Sequence, residues 1–264
     1  MKIGFIGTGN MSTAIIAGLL KKKVVSPSDI IASRRTESAL IALHEEYGIL
    51  TTTDNCKVAK EADIVFLAVK PVFMQQVIEE IRDSIHEDKI IVTIAAGKKM
   101  EFYETLFGKK IKLVRCMPNT PAFVVEGCTG MCHNGNLSKE ELDTVLSILN
   151  SFGKAGMVAE SLMDAVVAVS GSSPAYVFMM IEAMADAAVN AGMMRKQAYE
   201  FAAQAVLGSA KMVLEMEKHP GELKDMVCSP GGTTIEAVKV LEECGFRAAI
   251  MEAMEACVNK SKIL

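Results

Sequence analysis

Two glycine-rich stretches in this chain carry groups that could hold anions. The first, "KIGFIGTGNMS" (2–12), places Gly7-x-Gly9-x-x-Ser12 after a short apolar run and at the start of a helical pattern. Gly7 permits a tight turn, Gly9 lets the backbone approach a pyrophosphate, and Ser12 is small enough for helix and strand to pack. The pyrophosphate would rest on the free N–H groups of the helix start, so Gly7, Thr8, Gly9, Asn10 and Met11 are candidate cofactor contacts. The second stretch, "CSPGGTTIEAV" (228–238), sets Gly231 and Gly232 between Pro230 and two threonines, again before a helical pattern. A chain with one such loop needs a reason to carry another.

A dinucleotide fold reads the adenosine ribose about 20 residues beyond its glycine loop, with an acid where NAD is preferred. Here that position holds "IASRRT", with Ser33, Arg34 and Arg35 and no acid. A carboxylate would repel a 2′-phosphate, whereas a serine and two guanidiniums would hold one by charge-assisted hydrogen bonds. The expected cofactor is NADPH, with NADH as the weaker alternative. Asn55, after the short strand region "GILTTT", reaches the adenine-ribose side. "AVKP" (Ala68, Val69, Lys70, Pro71), the end of "KIIVTIA" with Ala95 and Ala96, and Met117, Pro118 and Asn119 of "RCMPNTP" each close a further strand. Loops at strand carboxyl ends face the ligand crevice, so these residues should line the nicotinamide half.

The elements that must position them are legible as patterns. "KIGFI" (2–6), "DIIAS" (29–33), "DIVFLAV" (63–69), "KIIVTIA" (89–95) and "IKLVRC" (111–116) are near-continuous apolar runs, as strands covered on both faces are. Helical segments lie between them. Pro71 suits a first helical turn, and Ser138 with Glu141 forms a capping box for a helix to about Ser151. Strand–helix alternation implies an α/β, Rossmann-type doubly wound sheet for residues 1–158. Composition shifts near Lys154–Ser161, and 12 of the 18 methionines fall from Met157 onward. Residues 159–264 therefore read as an all-α domain, with a helix start at Ser161–Asp164 and breaks at "SGSSPAY", "NAGM", "KHPGE", "SPGGTT" and "ECGF". Its alanine- and methionine-rich faces are broad enough to need a partner, and a helical homodimer is expected.

The net charge of −4 and pI near 5.7 argue against a nucleic-acid partner or an anionic membrane surface. No run approaches 18 apolar residues, and glycines interrupt the N-terminus too early for a signal peptide, so a cytoplasmic location is expected. Seven cysteines form no CxxC pair. Cys128 and Cys132 beside His133 are too few ligands for a zinc site, and no metal is expected. With only four histidines, mostly among charged or turn-forming neighbours, a histidine base is a poor prospect.

The order "GFIGTGNM", "AVKP", "MPNTP", "SGSSPAY" and "HPGELKDMVCSPGGTTIEAVKVLE" resembles pyrroline-5-carboxylate reductases over nearly the whole chain, most specifically at 219–242. The resemblance implies a Rossmann domain joined to an all-helical dimerisation domain, with further assembly into rings, a decamer of dimers. It implies NAD(P)H-dependent reduction of the ring imine of 1-pyrroline-5-carboxylate to L-proline. On that reading "SPGGTT" binds the substrate carboxylate through backbone N–H groups at Gly231 and Gly232 and the hydroxyls of Ser229, Thr233 and Thr234. Thr234 inherits the ring-nitrogen contact and is, with water, the best candidate for the proton. Glu160 inherits the pocket acid, although an acid in a first helical turn also has an ordinary helix-dipole role. Hydride transfer needs the two carbons within roughly 3–3.5 Å and aligned, so catalysis should come from orientation and electrostatics. Ser173 departs from the family's usual SGSGPAY, which bears on substrate detail and leaves the reaction class intact.

Two alternatives stay open at this point. A hydroxyacid dehydrogenase of the same plan typically needs a lysine on the helix after the domain boundary, and Met163–Met194 contains none. A non-enzymatic NADP-binding sensor gives no reason for the second glycine loop.

Overall fold

The structure is a computed structural model that describes residues 1–263. Its sheet has strands β1 (Ile3–Ile6), β2 (Ile30–Ser33), β3 (Leu50–Thr52), β4 (Ile64–Leu67), β5 (Ile90–Thr93), β6 (Lys112–Met117), β7 (Gly127–His133) and β8 (Gly153–Met157). The spatial order is β3-β2-β1-β4-β5-β6-β7-β8. All pairs through β6 are parallel, β7 is antiparallel to β6, and β8 is parallel to β7. The first six strands thus follow the dinucleotide-fold order, which reverses between β1 and β4 and opens a crevice at their carboxyl ends. The apolar strands lie where the sequence predicts them because both sheet faces are covered: Ile3, Phe5 and Phe66 pack on one side, Ile6, Val65 and Leu67 on the other.

Around the sheet run α1 (Asn10–Lys21), α2 (Glu37–Tyr47), α3 (Asn55–Glu61), α4 (Pro71–Ile81), α5 (Met100–Phe107) and α6 (Lys139–Leu149). Pro71 is the first residue of α4, and Ser138 and Glu141 cap α6 reciprocally, both as the sequence predicts. β7 and β8 are absent from the sequence reading. Their segments, GCTGMCH and GKAGM, each hold two glycines, which weaken the local strand signal and leave the pairing to tertiary context. Four residues of strand separate Cys128 from Cys132 by about 13 Å, so the two thiols cannot share one ion.

The chain divides into two compact units, Met1–Ser172 with the segment from Cys257 onward, and Ser173–Ala256. This packing boundary is a different partition from the functional division expected at 158/159, because the turns after Glu160 belong to the sheet unit: Val166 lies where a side chain on Gly130 of β7 would stand. The remaining helices are α7 (Met163–Val166), α8 (Ser173–Asn190), α9 (Arg195–Met216), α10 (Pro220–Val227), α11 (Thr233–Glu243) and α12 (Phe246–Ser261). Breaks occur at "NAGM", "KHPGE", "SPGGTT" and "ECGF" as expected. The expected break at "SGSSPAY" is corrected: a π-helical turn, Val167–Ser172, connects α7 to α8 without interruption. The wider turn absorbs the proline at position 174, so the chain does not break there.

This continuity has a consequence that short apolar runs conceal. The helical stretch Glu160–Asn190 is long and apolar enough to cross a membrane by length and composition, which corrects the expectation that nothing approaches such a span. Only 17% of its most apolar window is buried within the chain. In the helical unit Phe178, Met179, Phe201 and Leu214 are all more than 60% exposed, while its buried apolar residues are Ala185, Ala198, Ala202 and Leu223. Such a surface requires a cover.

Candidate active site

The N-terminal glycine loop has the geometry of a phosphate cradle. Gly7 adopts φ +98°, and a side chain there would stand 2.8 Å from the Ala68 carbonyl oxygen, so only glycine fits. Gly9 is the N-cap of α1, no side chain caps that helix, and no acid lies in its first turn. Space is open where a side chain on Gly9 would project. The Thr8 hydroxyl is buried without a hydrogen-bond partner. An uncapped helix start, open space and an orphaned hydroxyl fit an anion such as a pyrophosphate. Ser12 is fully buried and donates to the Gly9 carbonyl at 3.0 Å, closing the loop on itself.

The "SRR" segment follows β2 directly. Arg34 donates to the Thr8 carbonyl at 3.1 Å, tying this segment to the glycine loop. Arg35 lies over the Phe73 ring, 4.9 Å from its centroid, and donates to Gln76 at 3.2 Å. Both guanidiniums are on exposed residues. Ser33 differs from its neighbours: it is fully buried, and its hydroxyl donates to Asn55 Oδ1 at 2.6 Å. Asn55 in turn donates to Glu80 at 2.9 Å. Ser33 therefore orients Asn55, and the outward-facing charges are those of Arg34 and Arg35. Asp54, Cys56 and Glu80 bring three ligand atoms within 4.8 Å of one another, but the Glu80 carboxylate accepts from Asn55 and the Cys56 thiol donates to the Glu80 backbone carbonyl.

The remaining crevice residues come from three strand ends. Ala68 and Val69 follow β4, and Lys70 is the N-cap of α4 with no side-chain cap. Ala95 is buried beyond β5, where Thr93 donates to the Tyr103 hydroxyl at 2.7 Å in a fully buried pair. Burial raises the Tyr103 pKa, which keeps that phenol protonated. Pro118 and Asn119 follow β6 and are buried; the Asn119 amide binds the Ser170 carbonyl and the Cys128 N–H.

Arg115 is a residue the sequence reading misses. It is 5% exposed on β6, and its guanidinium pairs with Glu160 at 3.0 Å. The same Glu160 oxygen accepts the Met100 N–H at 2.7 Å, at the first turn of α5. The signal was a lone arginine inside the apolar run "IKLVRC". Glu160 thus links β6, the start of α5 and the turn that begins at Glu160, while Oε2 takes part in neither bond. The nearby thiols are unreactive: burial pushes Cys116 up, and burial with the Glu160 charge pushes Cys132 up to about 11.

In the helical unit, "SPGG" closes a four-residue turn through a Gly232 N–H to Ser229 carbonyl bond of 3.0 Å. Pro230 fixes the second position and Gly231, at φ +65°, takes the third, as a type II turn demands. The Ser229 hydroxyl tucks under Gly232, 2.3 Å from where a Cβ would be. Gly232 then N-caps α11 without a side-chain cap, which leaves N–H groups of the first turn facing outward beside the hydroxyls of Thr233 and Thr234. The turn can hold one small anion, and the nearest acid in the first turn is Glu236.

Comparison with known proteins agrees across the chain. Residues 160–264 match the pyrroline-5-carboxylate reductase dimerisation family, and residues 2–97 match the family described as NADP oxidoreductase, coenzyme F420-dependent. The chain is 54% identical over 263 residues to the pyrroline-5-carboxylate reductase of Escherichia coli, covering 100% of this chain and 98% of that protein. Among solved structures, a pyrroline-5-carboxylate reductase from Coxiella burnetii superposes with a TM-score of 0.92 at 38% identity, covering 99% of this chain and 97% of that one. The Plasmodium falciparum pyrroline carboxylate reductase with NADP bound gives a TM-score of 0.91 at 31% identity, over 100% and 97% of the two chains.

Proposed function

The chain belongs to the pyrroline-5-carboxylate reductase family, and we propose accordingly that it reduces the C=N bond of 1-pyrroline-5-carboxylate to L-proline, the last step of proline biosynthesis, with NADPH and more weakly with NADH. The observation that carries this reading is the full-length match to a reductase at 54% identity, with both glycine-rich stretches inside it. When bound, NADPH supplies the hydride. The chain's own residues bind and orient. Gly7, Thr8, Gly9, Asn10 and Met11 hold the pyrophosphate on the α1 start. Arg34 and Arg35 hold the 2′-phosphate, with Asn55 kept in place by Ser33. Ala68–Pro71, Ala95, Ala96 and Met117–Asn119 line the other half, Asn119 with its backbone because its amide is spent on the fold.

The substrate carboxylate is held by the Gly231–Gly232 turn, Ser229 and Thr233, with the α11 dipole adding to the fixed N–H groups. Thr234 Oγ1 hydrogen-bonds the ring nitrogen and, with water, delivers the proton that balances the hydride. Glu160 contributes through the oxygen left free of Arg115 and Met100. Neither glycine loop contains a histidine, which agrees with catalysis by orientation and electrostatics. No metal is required. Residues 1–158 bind the dinucleotide, and residues 159–264 bind substrate and self-associate. The reading includes a homodimer formed by the helical region, assembly to a decamer of dimers, a cytoplasmic location, and neither nucleic-acid nor membrane partners. The exposed apolar faces of α8 and α9 support self-association. Loss of NADPH absorbance on adding 1-pyrroline-5-carboxylate, with L-proline as product, tests the activity.

A further inference from the structure

The loop Met117–Asn119 at the end of β6 is tied to the π-turn Val167–Ser172. Asn119 is 7% exposed, and its Nδ2 donates to the Ser170 carbonyl at 2.9 Å while its Oδ1 accepts the Cys128 N–H at 2.7 Å. A side chain added to Gly171 would stand 3.1 Å from Met117 Cε, so the glycine lets the tip of Met117 lie against the turn. The Ser170 carbonyl has a particular need. In a regular α-helix it would accept the N–H of residue 174, which is proline and has none. The Ser170 hydroxyl cannot help, because it donates to the Val166 carbonyl at 3.0 Å. Asn119 donates to that carbonyl from another element, and the same amide fixes the start of β7 with its oxygen.

We propose that Asn119 and Gly171 are positioning residues: the π-turn braces the Met117–Asn119 loop, and the loop in turn shapes the nicotinamide end of the ligand crevice. This rests on the dinucleotide reading given above. Helical turns of this kind recur at functional sites, and here the turn joins a crevice loop through one hydrogen bond and one close apolar contact. Asn119 spends both ends of its amide on the fold, so its side chain acts on the cofactor only through where it holds Met117 and Pro118.

The test separates the two halves of the cofactor. Calorimetric titration of the full chain with NADPH and with adenosine 2′,5′-diphosphate, which has the 2′-phosphate and no nicotinamide, is run on wild type, Asn119→Ala, Pro174→Ala and the double variant. Asn119→Ala should weaken NADPH roughly 5–10-fold and leave adenosine 2′,5′-diphosphate unchanged. It should also lower Tm by about 2–4 °C, because the Ser170 carbonyl loses its donor. Adding Pro174→Ala places a backbone N–H near that carbonyl, so the double variant should recover part of the lost Tm, the Cys128 N–H still lacking its acceptor, but not NADPH affinity. Recovery of both would overturn the proposal, since Asn119 would then only be satisfying a carbonyl. So would equal weakening of both ligands, or unchanged NADPH affinity in Asn119→Ala. Should Asn119→Ala not fold, Gly171→Ala serves: it removes no hydrogen bond, presses on Met117, and should weaken NADPH alone, with no selective loss counting against the brace. Failure of wild type to bind either ligand would instead sink the dinucleotide reading itself.

Discussion

Thr234 and the Arg34–Arg35 pair answer to different ligands, and single substitutions separate them. Thr234→Ala removes a hydroxyl from the first turn of α11 and should reduce kcat/KM for the imine roughly 10–100-fold with NADPH affinity nearly unchanged. Steady-state kinetics with a parallel NADPH titration checks this; equal loss of NADPH binding would show that the residue is misassigned. Arg34→Ala with Arg35→Ala should weaken NADPH by roughly 10–100-fold and NADH far less, because charge-assisted bonds to a 2′-phosphate are lost only for the former. Matched losses for the two cofactors would contradict a phosphate role. The residue types were legible from the sequence, but their division of labour was not. Nothing in "SRR" shows that Ser33 points into the core toward Asn55 while its two neighbours face out. That depends on strand register, which places one residue of β2 under its neighbours and the next beyond the sheet.

At the scale of elements, long-range polar links fix loops that propensity leaves open. The Arg115–Glu160 pair crosses from β6 to the turn before α7 and caps α5, and one partner is almost wholly buried. Removing the arginine strands a carboxylate against the α5 start and an apolar strand, so Arg115→Ala should destabilise by about 3 kcal/mol in denaturant unfolding. A loss within error would mean solvent already screens the pair. The α6 cap offers a pH test. Glu141 accepts from Lys112 at 2.6 Å and closes the capping box with Ser138, and the lysine bond first, then the Ser138 backbone, holds its carboxyl below the usual range. A lowered folded pKa means its contribution is present above the ordinary carboxylate value, near about 4.3, and is lost as pH falls through the lowered one. Glu141→Gln should therefore cost about 1 kcal/mol at neutral pH and progressively less in acid, as thermal melts across pH would show. Six strands and the cap were readable because apolar runs and capping residues are local signals. The glycine-bearing β7 and β8 were not, because pairing partners remote in sequence decide them, and the π-turn at "SGSSPAY" was not, because a proline marks a break as readily as a wider turn.

For the whole molecule, the exposed apolar faces of the helical unit and the long stretch Glu160–Asn190 admit two covers, a second copy or a lipid bilayer. The matched dimerisation family favours the first. Sedimentation should give a dimer or larger, and Val213→Glu, in the apolar groove shared by α8 and α9, should shift the distribution toward monomer. Flotation of the wild-type chain with liposomes would contradict this cover. The central claim, that two anion-binding loops serve a hydride transfer between two anions, is tested most directly by following NADPH absorbance with folded protein and 1-pyrroline-5-carboxylate, beside a set of 3-hydroxyacids with NADP. NADPH consumption should be matched by L-proline formation, with no turnover of the hydroxyacids. A folded sample that leaves NADPH untouched, or that oxidises a hydroxyacid instead, would contradict it.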